Sequence, residues 1–347
     1  MEYAYVGSYT TPARGGLGSG GISVFSRTSP EERWREIQVV ERVNPSFLAF
    51  GFNKTRLYCV QADGFYIAAY AIGPDGKLTL LNEKNVGSHN TVFLQTDNQN
   101  KHLVVTGIGC IVVIRLNCDG SLGDIESITI PKGKTGPLTV PQQGIKPHQT
   151  VFTPDYKFLI EPNKGYDEVH TFKLLENGEL KLLYTVKCRP GSCPRHIAFH
   201  PNGKWAYLLT EFFGSVEAFF IKDGQLMPRA IYPTLPESFL GLKNSSAEIQ
   251  VHPNGKFLYA SNREHSSIVS YSINHDGLLK INEWTTEHIN KPRFFMISED
   301  GLELYCANEK GHDVSRFKIN QSTGKLTYQD SDMKASAPAC IVIKSNK

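Results

Sequence analysis

A net charge of only +3 over 347 residues, with no block of like charges, removes the basic stripe that a nucleic-acid binder needs and the basic face of a membrane-surface helix. No apolar run approaches the roughly 18 residues of a membrane span. Instead, 30 glycines, 19 prolines, 19 phenylalanines and 15 tyrosines in a chain 40% hydrophobic favour a β-protein rich in turns.

The chain starts directly in strand-like sequence. Tyr3 to Tyr9, Gly21 to Phe25 and Arg35 to Val43 read as the second, third and fourth strands of a sheet whose first strand is missing. Thr11 to Gly20, with four glycines, is a loop between two of them. A repeat then begins, made of an anchor, an alternating strand, a tight turn, a Leu-Tyr strand, a third strand and a turn into a strand starting near Lys-Leu. Anchors fall at Pro45, Ser88, Pro147, Pro194, Ser246, Pro292 and Pro338. The gaps of 43, 59, 47, 52, 46 and 46 residues match four-stranded propeller blades. The long gap is explained by Pro131 to Gly144, too rich in Pro and Gly for regular structure and read as an inserted loop over one face.

Turn cassettes support the count. Asp75-Gly76, Asp119-Gly120, Asn177-Gly178, Asp223-Gly224, Asp276-Gly277 and Thr323-Gly324 each precede an outer strand and suit turns that need positive φ. The last repeat has only a first strand, Ala339 to Lys344, which completes the sheet begun at the N-terminus. The expected fold is therefore all-β: a seven-bladed β-propeller of four-stranded blades, closed by N-terminal strands plus one C-terminal strand, with residues 1–347 as a single domain. No dozen-residue run has apolar positions at helical spacing, which argues against a nucleotide-binding α/β domain.

In a propeller the first strand of each blade lines the axial channel, so residues far apart in sequence meet at one mouth. The hairpin from Cys193 to Glu211 shows the pattern, since Arg195 and His196 open it and Glu211 closes it. Across the repeats the same places give His89, His148, Arg195, His196, Glu211, Glu248, Arg263 and Arg293. Converging arginines imply an anionic ligand or a developing oxyanion. Glu211 or His148 is the candidate general base, and Glu248 reads as a carboxylate that neutralises arginines. His200 and His252 precede Pro-Asn-Gly turns and read as turn residues.

No metal or other cofactor is expected, because the histidines lack local ligand spacing and the arginines would repel a cation. No G-x-S-x-G elbow is present. The seven cysteines, odd in number and mostly in apolar runs, read as free thiols, and with no signal-peptide pattern the expected setting is cytoplasmic. A catalytic cysteine is likewise unsupported, although Cys193 adjoins the basic pair.

Tyr5-Val6-Gly7-Ser8-Tyr9-Thr10, Pro147-His148, Pro194-Arg195-His196 through Lys204, Phe257 to Arg263 and Lys291-Pro292-Arg293-Phe294 together resemble the seven-bladed propeller lactonases. That family includes the bacterial 6-phosphogluconolactonase type, with 3-carboxy-cis,cis-muconate lactonizing enzyme as a relative. The resemblance covers nearly the whole chain. It implies catalytic roles for His148, Arg195, Glu211 and Arg263, all selected above on convergence alone. Substrate contacts would come from His196, Arg293, His89 and Glu248. His196 matches the lactonase branch, where Pro-Arg-His is usual, so the implied activity is hydrolysis of a sugar or sugar-phosphate lactone by water, with an arginine-stabilised oxyanion. The alternatives are a carboxymuconate-type cycloisomerase and a non-catalytic scaffold whose contact surface is the Pro131–Gly144 loop. The implied partner is a small anionic lactone, with no nucleic acid and no membrane, and the protein is a monomer or small homo-oligomer. Gln250, Thr210 and Thr106-Gly107 depart from the family pattern at positions expected to ring the mouth.

Overall fold

The computed structural model describes residues 1–241 and 244–345. Its strands form seven antiparallel four-stranded sheets. Blade 1 opens with Pro45–Phe50, blade 2 with Thr91–Thr96, blade 3 with Val151–Phe152, blade 4 with Pro194–Phe199, blade 5 with Ser246–Val251, blade 6 with Pro292–Ile297 and blade 7 with Pro338–Ser345. Neighbouring opening strands touch around the ring, the last touching the first, except that Pro194–Phe199 meets blade 3 through its second strand, Leu159–Asn163, so the sheets close around an axial channel. Blade 7 takes its remaining strands, Glu2–Ser8, Gly21–Arg27 and Arg35–Glu41, from the other end of the chain. Its seam runs antiparallel from Glu2 opposite Ser345 to Gly7 opposite Cys340. Among the described residues the only helical element is a 3₁₀ turn at Pro12–Arg14, and no helix is long and apolar enough to cross a membrane.

Blades pack face to face, so a second strand has apolar neighbours on both sides. His102–Gly107 and Phe257–Asn262 are accordingly buried at every position, without the alternation of a half-exposed strand. Between blades 1 and 2 the core is Tyr58, Val60 and Ala69 against Leu94, Leu103 and Val112. Each such large side chain contributes roughly 1.5–3 kcal/mol on burial.

Polar clasps set the spacing of the blades. Second-strand tyrosines donate to the carbonyl of the turn glycine of the next blade: Tyr5 to Gly76 (2.8 Å), Tyr58 to Gly120 (2.8 Å), Tyr207 to Gly277 (2.9 Å) and Tyr259 to Gly324 (2.7 Å). Those glycines have φ of 73–82°, as the Asp-Gly and related cassettes predict. His200 and His252 are turn residues with the same task. Each accepts from a backbone N–H of its own turn through Nδ1, and its Nε2 donates to Gly255 (2.9 Å) or Gly301 (2.7 Å) of the following blade.

Two further features position the mouth. A residue with left-handed φ stands just before five of the opening strands: Asn44 (46°), Asn90 (59°), Cys193 (55°), Lys291 (56°) and Ala337 (37°). The strand then bulges, so that Pro194 pairs with Thr210 and His196 with Leu209, and Arg195 is left as an extra residue. Equivalent register shifts occur after Pro45, Thr91, Ser246 and Pro292. A bulge cancels one step of strand alternation and re-aims the side chains around it. Arg195 and His196 can thus both face the channel although they are adjacent.

Candidate active site

The channel mouth holds a cavity of about 290 Å³. Its walls are two rings of equivalent positions. The bulge position of the opening strands supplies Ser46, Val92, His148, Arg195 and Arg293; the residue that follows the second strand supplies Tyr9, Ile108, Lys164, Glu211 and Arg263. The loops add Arg14, Asn90 and Lys146. Six cationic side chains, Arg14, Lys146, Lys164, Arg195, Arg263 and Arg293, therefore line the cavity against one carboxylate, Glu211.

Glu211 is surrounded. Lys164 Nζ and Arg195 Nε (3.4 Å) approach Oε2, and Arg263 Nη2 (2.7 Å) and Ser245 Oγ (3.3 Å) approach Oε1. Burial alone would raise its pKa, but Lys164, Arg263 and Arg195 outweigh that and hold it well below the usual carboxylate range. Burial, with Arg263 and Arg293 nearby, brings Arg195 down to about 9, so it stays charged at neutral pH. Its Nη1 donates to Ala247 O, which fixes the guanidinium. Arg293 is partly exposed, lies 5.0 Å from the Tyr9 ring centre, and has no carboxylate partner among the described residues.

His148 occupies blade 3's bulge position, where Pro147 bridges to Asn163 and the His148 amide donates to Pro162 O (3.2 Å). Its Nδ1 lies 3.1 Å from His196 Nε2, and His196 Nδ1 lies 3.0 Å from Glu248 Oε2. No protein partner is found for His148 Nε2 among the described residues. Burial first, then Arg195 and Lys164, push the His148 pKa well below that of a free histidine.

Of the eight residues read from sequence, His148, Arg195, Glu211, Arg263 and Arg293 meet in this cavity. His196 and Glu248 are buried one step further down the channel and do not line this cavity; Glu248 makes its direct contact with His196 and favours the charge of Arg195 only from beyond ion-pair distance. His89 does not join them. It is exposed, with its ring 5.2 Å from Phe65. The reason is register: the left-handed residue before blade 2 is Asn90, which makes Thr91 the anchor rather than Ser88 and Val92 the counterpart of Arg195.

Lys164, Lys146 and Arg14 were not anticipated. The signal for Lys164 was present, since it follows Leu159–Asn163 as Glu211 follows Trp205–Thr210. The inserted loop docks beside it, with Gln142 Nε2 donating to Lys164 O (2.9 Å).

The departures from the family pattern lie off the mouth. Gln250 joins blades 5 and 6 through Phe295 O (2.7 Å) and Ile297 N (3.0 Å), Thr210 bonds Ser215 Oγ (2.7 Å), and Thr106 bonds Thr150 (2.8 Å). Cys193 is fully buried, and burial pushes its thiol up to about 12, which leaves no thiolate for chemistry. Among the described residues no group of three or more His, Cys, Asp or Glu side chains is placed to hold a metal ion.

Comparison with known proteins identifies the family. The family model described as Lactonase, 7-bladed beta-propeller, matches residues 3–343. A 6-phosphogluconolactonase of Bacillus subtilis strain 168 is 31% identical over 346 residues, with 97% of each chain covered. One from Formosa agariphila is 32% identical, over 93% of this chain and 94% of its own. A solved structure from Bacteroides fragilis NCTC 9343, with a provisional 6-phosphogluconolactonase assignment, has a TM-score of 0.90 at 28% identity, over 99% of this chain and 98% of that one. With a ring of seven blades, a cationic mouth and a family match along almost its whole length, the chain belongs to the seven-bladed β-propeller lactonases.

Proposed function

We propose that this lactonase hydrolyses a sugar lactone that carries an anionic group, with a phosphorylated aldonolactone as its preferred substrate. The observation that carries the reading is the lining of six cations against one carboxylate. Two relatives at 31% and 32% identity are named 6-phosphogluconolactonases, which supports a phosphorylated substrate.

Arg293, with no carboxylate to satisfy, and Lys146 hold the anionic group. Arg195 and Arg263 are held in place by Glu211, so their donors need little reorganisation when the lactone carbonyl becomes an oxyanion. Glu211 is an anchor for these cations rather than the base, because its carboxylate is already engaged on both oxygens. The base is His148, neutral at working pH and with an open Nε2. Its Nε2 takes a proton from water as the water oxygen bonds to the carbonyl carbon. The tetrahedral oxyanion then collapses, the ring C–O bond breaks, and the departing alkoxide takes the proton back from His148. The carboxylic acid so formed ionises and releases one proton per turnover.

We take residues 1–347 as one domain carrying this activity, as a monomer or small homo-oligomer. The seven unpaired thiols favour a reducing, cytoplasmic compartment. The test is acid release at constant pH from 6-phosphogluconolactone and its unphosphorylated counterpart. Release well above the spontaneous rate is expected with the phosphorylated lactone, and R293A is expected to raise KM about tenfold or more for that substrate only. Equal KM values for both lactones in wild type, or an unchanged KM in R293A, would overturn the anionic-group assignment.

A further inference from the structure

Below the mouth the channel changes character. The tier under Ser46, Val92 and Arg293 is aromatic, with Phe47, Phe93 and Phe294 packed at 4.7 Å and 5.8 Å between ring centres. Among the described residues three polar side chains interrupt it: Gln149, whose Oε1 accepts from Ile197 N (2.7 Å), His196 after Arg195 and Glu248 after Ala247. His196 and Glu248 are each about 4% exposed, and Phe93 contacts the His196 ring at 6.5 Å. An imidazole and a carboxylate in such a tier cost several kcal/mol unless they are mutually paired. Among the described residues Glu248 has no Lys or Arg at ion-pair distance, and His196 is its only ionisable side-chain partner at that distance. The one connection upward from this pair is the 3.1 Å contact from His196 to His148.

With Glu248 as an acceptor, the two contacts are satisfied by one tautomer of each histidine. An ionised carboxylate only accepts, so His196 carries its proton on Nδ1. Neutral His196 then accepts at Nε2, so His148 must donate from Nδ1. The lone pair of His148 is left on Nε2, the atom with no protein partner.

We propose that Glu248, His196 and His148 form a buried charge relay, in which Glu248 and His196 are positioning residues that fix the tautomer of His148 and take up the charge it acquires, without touching substrate. This rests on His148 being the base. As Nε2 gains the proton of water, the Nδ1 proton moves to His196 Nε2, and the positive charge comes to rest farther from Lys164 and beside Glu248, which favours protonation of His196 while Arg195 and Arg293 oppose it. Return of both protons accompanies protonation of the departing alkoxide, so the relay begins and ends each turnover unchanged.

The experiment compares H148Q, E248Q, H196Q and the H148Q/E248Q double variant on 6-phosphogluconolactone, with thermal unfolding of each. E248Q keeps an acceptor for His196 but removes the charge, and is expected to lower kcat by about 10–100-fold with KM little changed. The double variant should be no slower than H148Q alone. The acid limb of kcat/KM should also move to lower pH in E248Q, because a negative charge that favoured protonation of the pair is gone. Against that background His148 still faces Arg195, Lys164 and Arg293. A purely structural role would leave the acid limb in place. Multiplying losses in the double variant, or a KM effect as large as the kcat effect, would overturn the relay. If E248Q fails to fold, H196Q decides by the same criteria: its amide still accepts from His148 but cannot take a proton. Wild-type kcat in H148Q would instead refute His148 as the base, an outcome distinct from failure of the relay.

Discussion

Glu211 and His148 show how two groups in one cavity take opposite parts. Replacing Glu211 by Gln keeps its shape but leaves Lys164, Arg195 and Arg263 facing one another in a buried space. E211Q is expected to lose about 3–5 kcal/mol of stability, measured by denaturant unfolding, together with its activity. H148Q should lose activity while staying within about 2 kcal/mol of wild type. Equal stability in E211Q and wild type would mean that the cations do not depend on that carboxylate. At this scale the sequence was readable wherever a residue stood at a recognisable place in the repeat, as Arg195, Glu211 and Arg263 did. Lys164 stood at such a place too, but a lysine after Pro-Asn looks like any solvated turn. His89 misled because Ser88 resembles an anchor, whereas the conformation that sets the anchor, the left-handed φ of Asn90, leaves no unique mark in sequence. The His148, His196 and Glu248 line was legible as residues but not as an order, since burial depth is a property of the assembled channel.

Between blades, the tyrosine clasps carry structural load without chemistry. Y207F removes one hydroxyl and leaves Gly277 O without its donor, at an expected cost of about 1–2 kcal/mol and with kcat unchanged. A drop in kcat larger than the loss of folded protein would mean that this clasp also shapes the mouth. The turn half of each clasp was readable, because Asp-Gly and Asn-Gly have few other conformational uses. The tyrosine half was not, since its partner lies about 70 residues away in the next blade. Bulges escaped for a related reason: two residues opposing one is a fact about a pair of strands, and neither strand states it alone.

Blade number and closure were readable at the scale of the whole molecule because the two ends of the chain are out of phase with the repeat. Deleting Pro338–Ser345 leaves the Glu2–Ser8 edge unpaired and takes Ile341, which is fully buried, out of the core. The truncated chain is expected to aggregate, as sedimentation would show, and a soluble, active truncation would refute closure as a requirement. The same seam has a consequence for biosynthesis. Glu2 and its partner Ser345 leave the ribosome roughly 20–70 s apart at 5–20 residues per second. For all that time the oldest strand of the chain has no neighbour on one side, so the nascent protein depends on a chaperone, or on its own speed of collapse, until the newest strand arrives.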